Sequence, residues 1–463
     1  MKKLINKLGI DKAIAYSSAA RIVQAGSNIV TIFFLAKYLS QEEQGFYYTF
    51  GSLVAVQVFF ELGLTNIITQ FVAHEYAYVT VENDKSIYKS RLSSLLHFCI
   101  KWYFYLSILL FFILIIVGWV FFTHYDTEGD NVSWKIPWFL ISFGTCLRLF
   151  QSPLNSFLLG MNKVEEMSLI SLYQQLILPI SMWLGLYGGL KLYVVGISLV
   201  LSAVVWYLYV YFSKMKQVLI DIYKNPIIER IKYVDEIFPF QWRIAISWIS
   251  GYLIYQLFTP VIFATGGAII AGQIGMTLQV LNGIQALSMS WINTKIPLLS
   301  NCVALKKYSE LDLIFSRTLK QMLAVIIILF FVFIGGLFVA DKICISINGE
   351  LLTTRFLSCK NTFYLFLSIL LNVFVVSWAS YLRCHKKEPF LLYSILCGLV
   401  CCMVIFFTSN IWGGRRGYIG IFIYKYLVFT LCIFNICNEE KTMAWLIHQF
   451  YQFVYRLIIV QIF

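Results

Sequence analysis

Apolar runs long enough to cross a bilayer recur along almost the whole chain, and lipid leaves such runs few solutions. A backbone with no water around it must satisfy its own N–H and C=O groups, so spanning segments are helices or closed barrels. Runs of about 20 residues suit helices, since a spanning strand needs only about 10. Such runs lie near 14–38, 45–72, 95–122, 134–158, 167–188 and 191–212, and again near 238–263, 267–293, 321–340, 361–382, 389–409 and 417–437. The polar stretch SKMKQVLIDIYKNPIIERIKYVD, Ser213 to Asp235, parts the two sets. The fold class expected is an all-α polytopic membrane protein with about 12 transmembrane helices, set in two six-helix bundles around a central cavity. The bundles are expected over 1–212 and 237–438, with a cytoplasmic linker at 213–236 and a tail at 439–463. That tail carries His448, Gln449, Gln452 and Arg456 on one side, as an interfacial amphipathic helix does.

Composition excludes a soluble domain: 60% of residues are hydrophobic and 13% charged. The opening lysines Lys2, Lys3, Lys7 and Lys12 precede a run too long for a signal peptide and without a small-residue cleavage site, so 14–38 is expected to remain as the first span. Basic residues set the orientation. With the N-terminus inside, about 23 of the 36 Lys and Arg fall in inner segments and about 8 in outer ones, which places both termini in the cytoplasm. The net charge of +13 is accounted for by this bias and by attraction to anionic lipid, without a nucleic-acid partner.

Five basic residues remain at span depth: Arg21, Lys101, Arg148, Arg243 and Lys425. Lys101 and Lys425 can snorkel on long stems. The arginines instead sit on polar helix faces, as where a helix turns one side to a cavity. Arg21 aligns with Gln24, Asn28 and Thr31, Arg148 with Gln151, Ser152 and Asn155, and Arg243 with Ser247 and Ser250. The second span adds Gln57, Glu61 and Thr65, and the eighth adds Gln279, Asn282 and Asn293. Amides alone could simply join helices. Three arginines point to an anion site, because the guanidinium fork matches phosphate oxygens and stays charged when desolvated. The expected substrate-binding set is Arg21, Arg148, Arg243 and Lys425, flanked by Gln24, Asn28, Gln57, Asn155, Gln279 and Asn282.

Glu61, in VAVQVFFELGLTNII, is a carboxylate at a depth where charge is expensive. It can pair with an arginine, carry a coupling proton, or reach inner-leaflet water without a role.

AKYLSQEEQGFYYTFGSLVAVQVFFELGL, Ala36 to Leu64, resembles the opening signature of bacterial polysaccharide flippases, the Wzx-type O-antigen translocases of the multidrug/oligosaccharidyl-lipid/polysaccharide exporter superfamily. The matching positions are Glu42-Glu43, Gly45 and Leu62-Gly63-Leu64, and the signature covers residues 1–75. The resemblance implies a carrier that moves an undecaprenyl-pyrophosphate-linked oligosaccharide from the cytoplasmic to the periplasmic leaflet of a bacterial inner membrane. It also implies H+ or Na+ as candidate coupling ions, and a polysaccharide polymerase as a candidate contact. An internal match supports two parallel halves: Gly45 with FYYTFGSLVAVQ and Gly272 with QIGMTLQVLNGI, followed by Asn66 and Asn293 at one offset.

No P-loop, G-x-G-x-x-G or H-E-x-x-H occurs, so neither cofactor, metal nor enzymatic activity is expected. Cys344 and Cys359 flank an outer segment and could pair; the other cysteines read as small buried hydrophobes. Three alternatives stand beside the flippase: a multidrug exporter, a peptidoglycan-precursor flippase, and a membrane-embedded polymerase or sugar transferase. The basic span residues weigh against cationic drugs, and short outer loops weigh against a polymerase.

Overall fold

The computed structural model describes residues 12–81, 85–125, 132–347 and 350–384, with Ile395, Gly398 and Leu399. Apart from those three residues, the last two predicted spans lie outside the described residues, as do the tail and Lys425. The chain is nearly all helical, and among the described residues seven helices are long and apolar enough to cross a membrane, or eight if a bent pair counts as one span. It is a multi-pass membrane protein.

The described chain forms two compact units, residues up to Thr277 with Ala340–Leu357, and Leu278–Val339 with the residues from Ser358 onward. In the first unit α1 is Lys12–Tyr38 and α2 is Gln41–Val54. The sequence SQEE starts α2 with a capping box: Ser40 Oγ accepts from the Glu43 N–H at 3.0 Å, and Glu43 Oε2 accepts from the Ser40 N–H at 2.9 Å.

The second predicted span is not one rod. A 3₁₀ turn, Ala55–Gln57, leads into the short α3, Val58–Glu61. Leu62 and Gly63 then take φ of +46° and +70°, and the chain bends by 42° into α4, Leu64–Val81. Glycine is required here twice over, since a Cβ on Gly63 would lie 2.3 Å from Ile244 Cγ2.

There follow α5 (Lys85–Tyr125), α6 (Lys135–Gly160), α7 (Val164–Tyr187), α8 (Tyr193–Phe212) and the short linker helix α9 (Lys214–Tyr223). α1 packs along α7 and α6 along α8. α10 (Phe238–Tyr255) and α11 (Phe258–Ala304) come next. α11 bends at Gly267, φ +83°, where the sequence pattern places the gap between its seventh and eighth spans. An aromatic cluster of Phe46, Phe50, Phe122, Trp138 and Phe263 fills the upper core, with Trp138 Nε1 donating to the Leu114 carbonyl at 2.9 Å.

The two glycines of the internal match meet. A Cβ on Gly272 would lie 2.9 Å from Gly45 N, and one on Gly45 would lie 2.0 Å from the Ala268 carbonyl oxygen. Backbone thus packs on backbone at the starts of α2 and of the second arm of α11.

The second unit holds the rest of α11, most of α12 (Tyr308–Lys342) and α13 (Cys359–Cys384). Ser288 donates to the Met322 carbonyl, Tyr381 donates to Asp312 at 2.7 Å, and Phe330 stacks on Phe366. A small hairpin, β1 (Ser346–Ile347) with β2 (Glu350–Leu351), and a 3₁₀ turn, Leu352–Arg355, return the chain to the first unit. Cys344 and Cys359 are exposed free thiols, not a disulfide.

Candidate functional site

The arginines of the first unit show what their helices face. On α1, Arg21, Gln24 and Asn28 are all exposed or partly so. So are Ile22, Ile29 and Phe33, at 72%, 58% and 58%. At 3.6 residues per turn the two sets are centred roughly 120–130° apart. A spanning helix with an apolar and a polar open face has lipid on the first and water on the second. On α6 Arg148 is exposed and lies roughly 150° around the helix from the exposed Ile136, Phe139 and Phe143, while Gln151 on its own side is buried. Among the described residues neither Arg21 nor Arg148 has a hydrogen bond or ion pair with a side chain, so both forks are open to an incoming anion.

One turn past Arg148, Ser152 Oγ donates to Glu61 Oε1 at 2.5 Å, joining the end of α3 to α6. Glu61 is half-buried, and among the described side chains its partner is this hydroxyl, not an arginine. Tyr103, fully buried on α5 within electrostatic reach of Glu61, has a hydroxyl without a hydrogen-bond partner among the described residues. Sequence reasoning missed Tyr103, because an aromatic in an apolar run carries no periodic signal.

The remaining candidates are dispersed. Asn155 Oδ1 accepts from Trp206 Nε1 at 2.7 Å, Gln151 meets Gln174 at 3.4 Å, and Thr31 Oγ1 accepts from Trp183 Nε1 at 3.0 Å, so these polar groups join helices of the first unit. Gln57 is half-buried on the 3₁₀ turn. Arg243 lies on α10, and Gln279 and Asn282 on the part of α11 that belongs to the second unit, half-buried and exposed. Among the described residues no cluster of His, Cys, Asp and Glu could hold a metal ion.

Two charged knots were invisible in the sequence. At the end assigned to the cytoplasm, Arg91 on α5 contacts Glu75 of α4 at 3.0 Å, and Glu229 and Glu236 of the linker region at 2.8 and 2.6 Å. Ser90 Oγ accepts from the N–H groups of Ile228 and Glu229, and His97 stacks on Tyr223 with ring centres 3.8 Å apart. Beside them Tyr233 bonds Gln241, and burial pushes its hydroxyl pKa up.

The opposite end gathers the loops that the basic-residue count assigns to the outside. Lys191 pairs with Glu43 at 2.9 Å, and Gln41 Nε2 donates to Glu350 and to Thr354 Oγ1 at 2.8 and 3.1 Å. Gln44 Nε2 donates to the carbonyls of Gly272 and Arg355, and Gln273 Nε2 to that of Thr354. In their midst Arg355 is 1% exposed. Among the described residues its best polar side-chain contacts are Gln44 Oε1 at 3.4 Å and Glu350 at 3.9 Å, and its Nε has no hydrogen-bond partner. Burial lowers its pKa against the opposing pull of Glu350 and Glu43.

No family model and no curated protein matches the chain. Solved structures do. A multidrug resistance MATE family transporter of the MOP superfamily, in its inward-facing conformation, aligns with a TM-score of 0.57 at 13% identity, over 88% of this chain and 96% of that one. The MATE multidrug transporter DinF-BH gives 0.55 at 14%, over 92% and 95%. The lipid II flippase MurJ, inward closed, gives 0.51 at 14%, over 91% and 87%. The chain therefore has the fold of MOP superfamily transporters.

Proposed function

We propose that the chain is a flippase that carries an undecaprenyl-pyrophosphate-linked oligosaccharide, an O-antigen or related repeat unit, from the cytoplasmic to the outer leaflet of a bacterial inner membrane by alternating access. One observation carries this reading: among the described residues Arg21 and Arg148 are exposed without side-chain partners, on the sides of α1 and α6 turned away from their exposed apolar residues. A pyrophosphate offers the oxygens such forks bind, and the glycan beyond it needs the wet polar faces. Arg243 and Lys425 belong to the same proposed site, with Gln24, Asn28, Gln57, Gln279 and Asn282 as its polar lining, whereas Asn155, engaged by Trp206, leaves it. The halves that rock are 1–212 and 237–438, joined by 213–236, with both termini cytoplasmic and the tail on the inner surface. Glu61 is the coupling group, binding H+ or Na+ beside Ser152.

The structural relatives support a second reading within the same class, since two of those described are multidrug transporters and one is a lipid II flippase. Open arginines favour polyanions over cationic drugs. The chain acts in either case as a carrier and not as an enzyme.

The test is flipping of a fluorescent polyprenyl-pyrophosphate oligosaccharide in vesicles. Arg148→Ala and Arg21→Ala should abolish it with the protein still in the membrane, and Arg→Lys should be impaired less. Undiminished flipping in both alanine variants removes the anion site.

A further inference from the structure

The outer knot lies wholly within the first compact unit, yet it joins residues from both proposed halves. Gln41 and Gln44 come from the first half, and Glu350, Thr354 and Arg355 from the second. A carrier that opens outward must part this knot, so the strength of its bonds matters. Below it, Thr277 is fully buried, and its Oγ1 accepts from the Leu357 N–H at 3.1 Å.

The knot is tight in shape and weak in polarity. Its bonds from Gln44 are neutral amide contacts, and the one from Gln41 Nε2 to the Glu350 carboxylate is charge-assisted but exposed. Arg355 is the anomaly. A buried guanidinium normally has its five donors matched, but among the described residues one neutral oxygen lies at 3.4 Å, the nearest carboxylate stands at 3.9 Å, and Nε has no hydrogen-bond partner. Glu350 is about half exposed, so it needs no help from Arg355 to stay charged. Parting the knot returns the guanidinium to water and restores its donors.

Resting on the carrier reading, we infer that Arg355 is a destabilising pin in the outer gate: an under-partnered cation, buried on closure, that keeps the Gln44–Gly272–Leu357 seal shallow enough to open in each cycle. A pin differs from a clasp in the sign of its removal. Deleting a clasp loosens the gate, whereas deleting the pin and keeping its volume tightens it.

The experiment reads opening without a transport assay. In a chain with Cys344→Ser and Cys359→Ser, Thr277→Cys reports opening by its labelling with a membrane-impermeant maleimide on whole cells, resolved by peptide mass spectrometry. Adding Arg355→Met should slow labelling by about tenfold, the low end of what replacing buried ionic groups with apolar ones gives, while Arg355→Lys should keep the native rate within a few-fold. Equal or faster labelling in Arg355→Met overturns the proposal.

If Thr277→Cys fails to fold, Gln41→Cys with Thr354→Cys replaces it, since those side chains touch at 3.1 Å. A brief oxidant pulse should cross-link a larger fraction when Arg355 is Met, and an equal or smaller fraction overturns the pin. Failure of the glycan assay with these rates as expected would refute the lipid-linked substrate and leave the gate standing.

Discussion

Arg91 and Arg355 sit at opposite ends of the first unit, and their surroundings are opposed. Arg91 has three carboxylates within 3.0 Å and is 17% exposed at its side chain. Arg355 has none within 3.5 Å and is more deeply buried. Three charge-assisted bonds to one planar fork make a tie that resists any one of them failing. Arg91 thereby fastens the linker to α4 and α5, so the linker moves with the first bundle and does not act as a free tether. The outer end relies on close backbone contact and on amides, and the carboxylates there are met by the exposed Lys191 and by Gln41.

The comparison can be broken most severely at its backbone contact. Gly45→Ala places a methyl 2.0 Å from the Ala268 carbonyl, and backbone cannot yield as a side chain can, so the cost should exceed the ~1–3 kcal/mol of ordinary overpacking. The variant should fail to accumulate in the membrane. Gly26→Ala, with nothing within 4 Å of its Cβ, should accumulate normally in the same immunoblot.

Next in size is Arg91→Ala, which strands Glu75 without its cation and should cost about 3–5 kcal/mol. A lower melting temperature in detergent and new trypsin cleavage after Lys224, Arg230 or Lys232 would show the linker released. A linker that stays resistant would mean that the serine and aromatic contacts hold it and the ions do not.

Glu61→Gln should affect function and leave stability nearly unchanged. A glutamine oxygen still accepts from Ser152, so the change should stay within about 1 kcal/mol. Flipping should cease to respond to an imposed H+ or Na+ gradient, and a response equal to the native one would remove Glu61 from coupling. The smallest effect belongs to Lys191→Ala, whose side chain is 62% exposed. Glu43 is itself buried, 8% exposed at its side chain, but it keeps its bond to the Ser40 N–H and its cation is solvated, so the loss should stay within about 1 kcal/mol. A larger loss would make the outer end an electrostatic clasp after all.

Much of the helical scaffold was legible because burying backbone in lipid demands long apolar runs, and the described helices follow the first ten of them. The bend after Glu61 was written as LGL, but a hydropathy window averages across two residues and reads one span over 45–72. Periodicity placed Arg21 and Arg148 on polar faces, and both arginines are exposed in the folded helices, while Thr31 and Gln151 on the same faces are buried. It could not distinguish Asn155, engaged by Trp206, from Asn28, which is exposed, because both obey the same helical spacing.

What the chain's own order of residues determined is therefore local and repetitive: which segments enter lipid, where α2 is capped, and which side of a helix carries charge. The partners of Arg91 and Arg355 were decided only by tertiary structure. Glu75 and Glu236 stand 16 and 145 residues from Arg91, and Gln44 stands 311 from Arg355. Charge has no period along the chain that announces such meetings. Whether a guanidinium is matched or starved depends on ångström distances that exist only once the helices have packed.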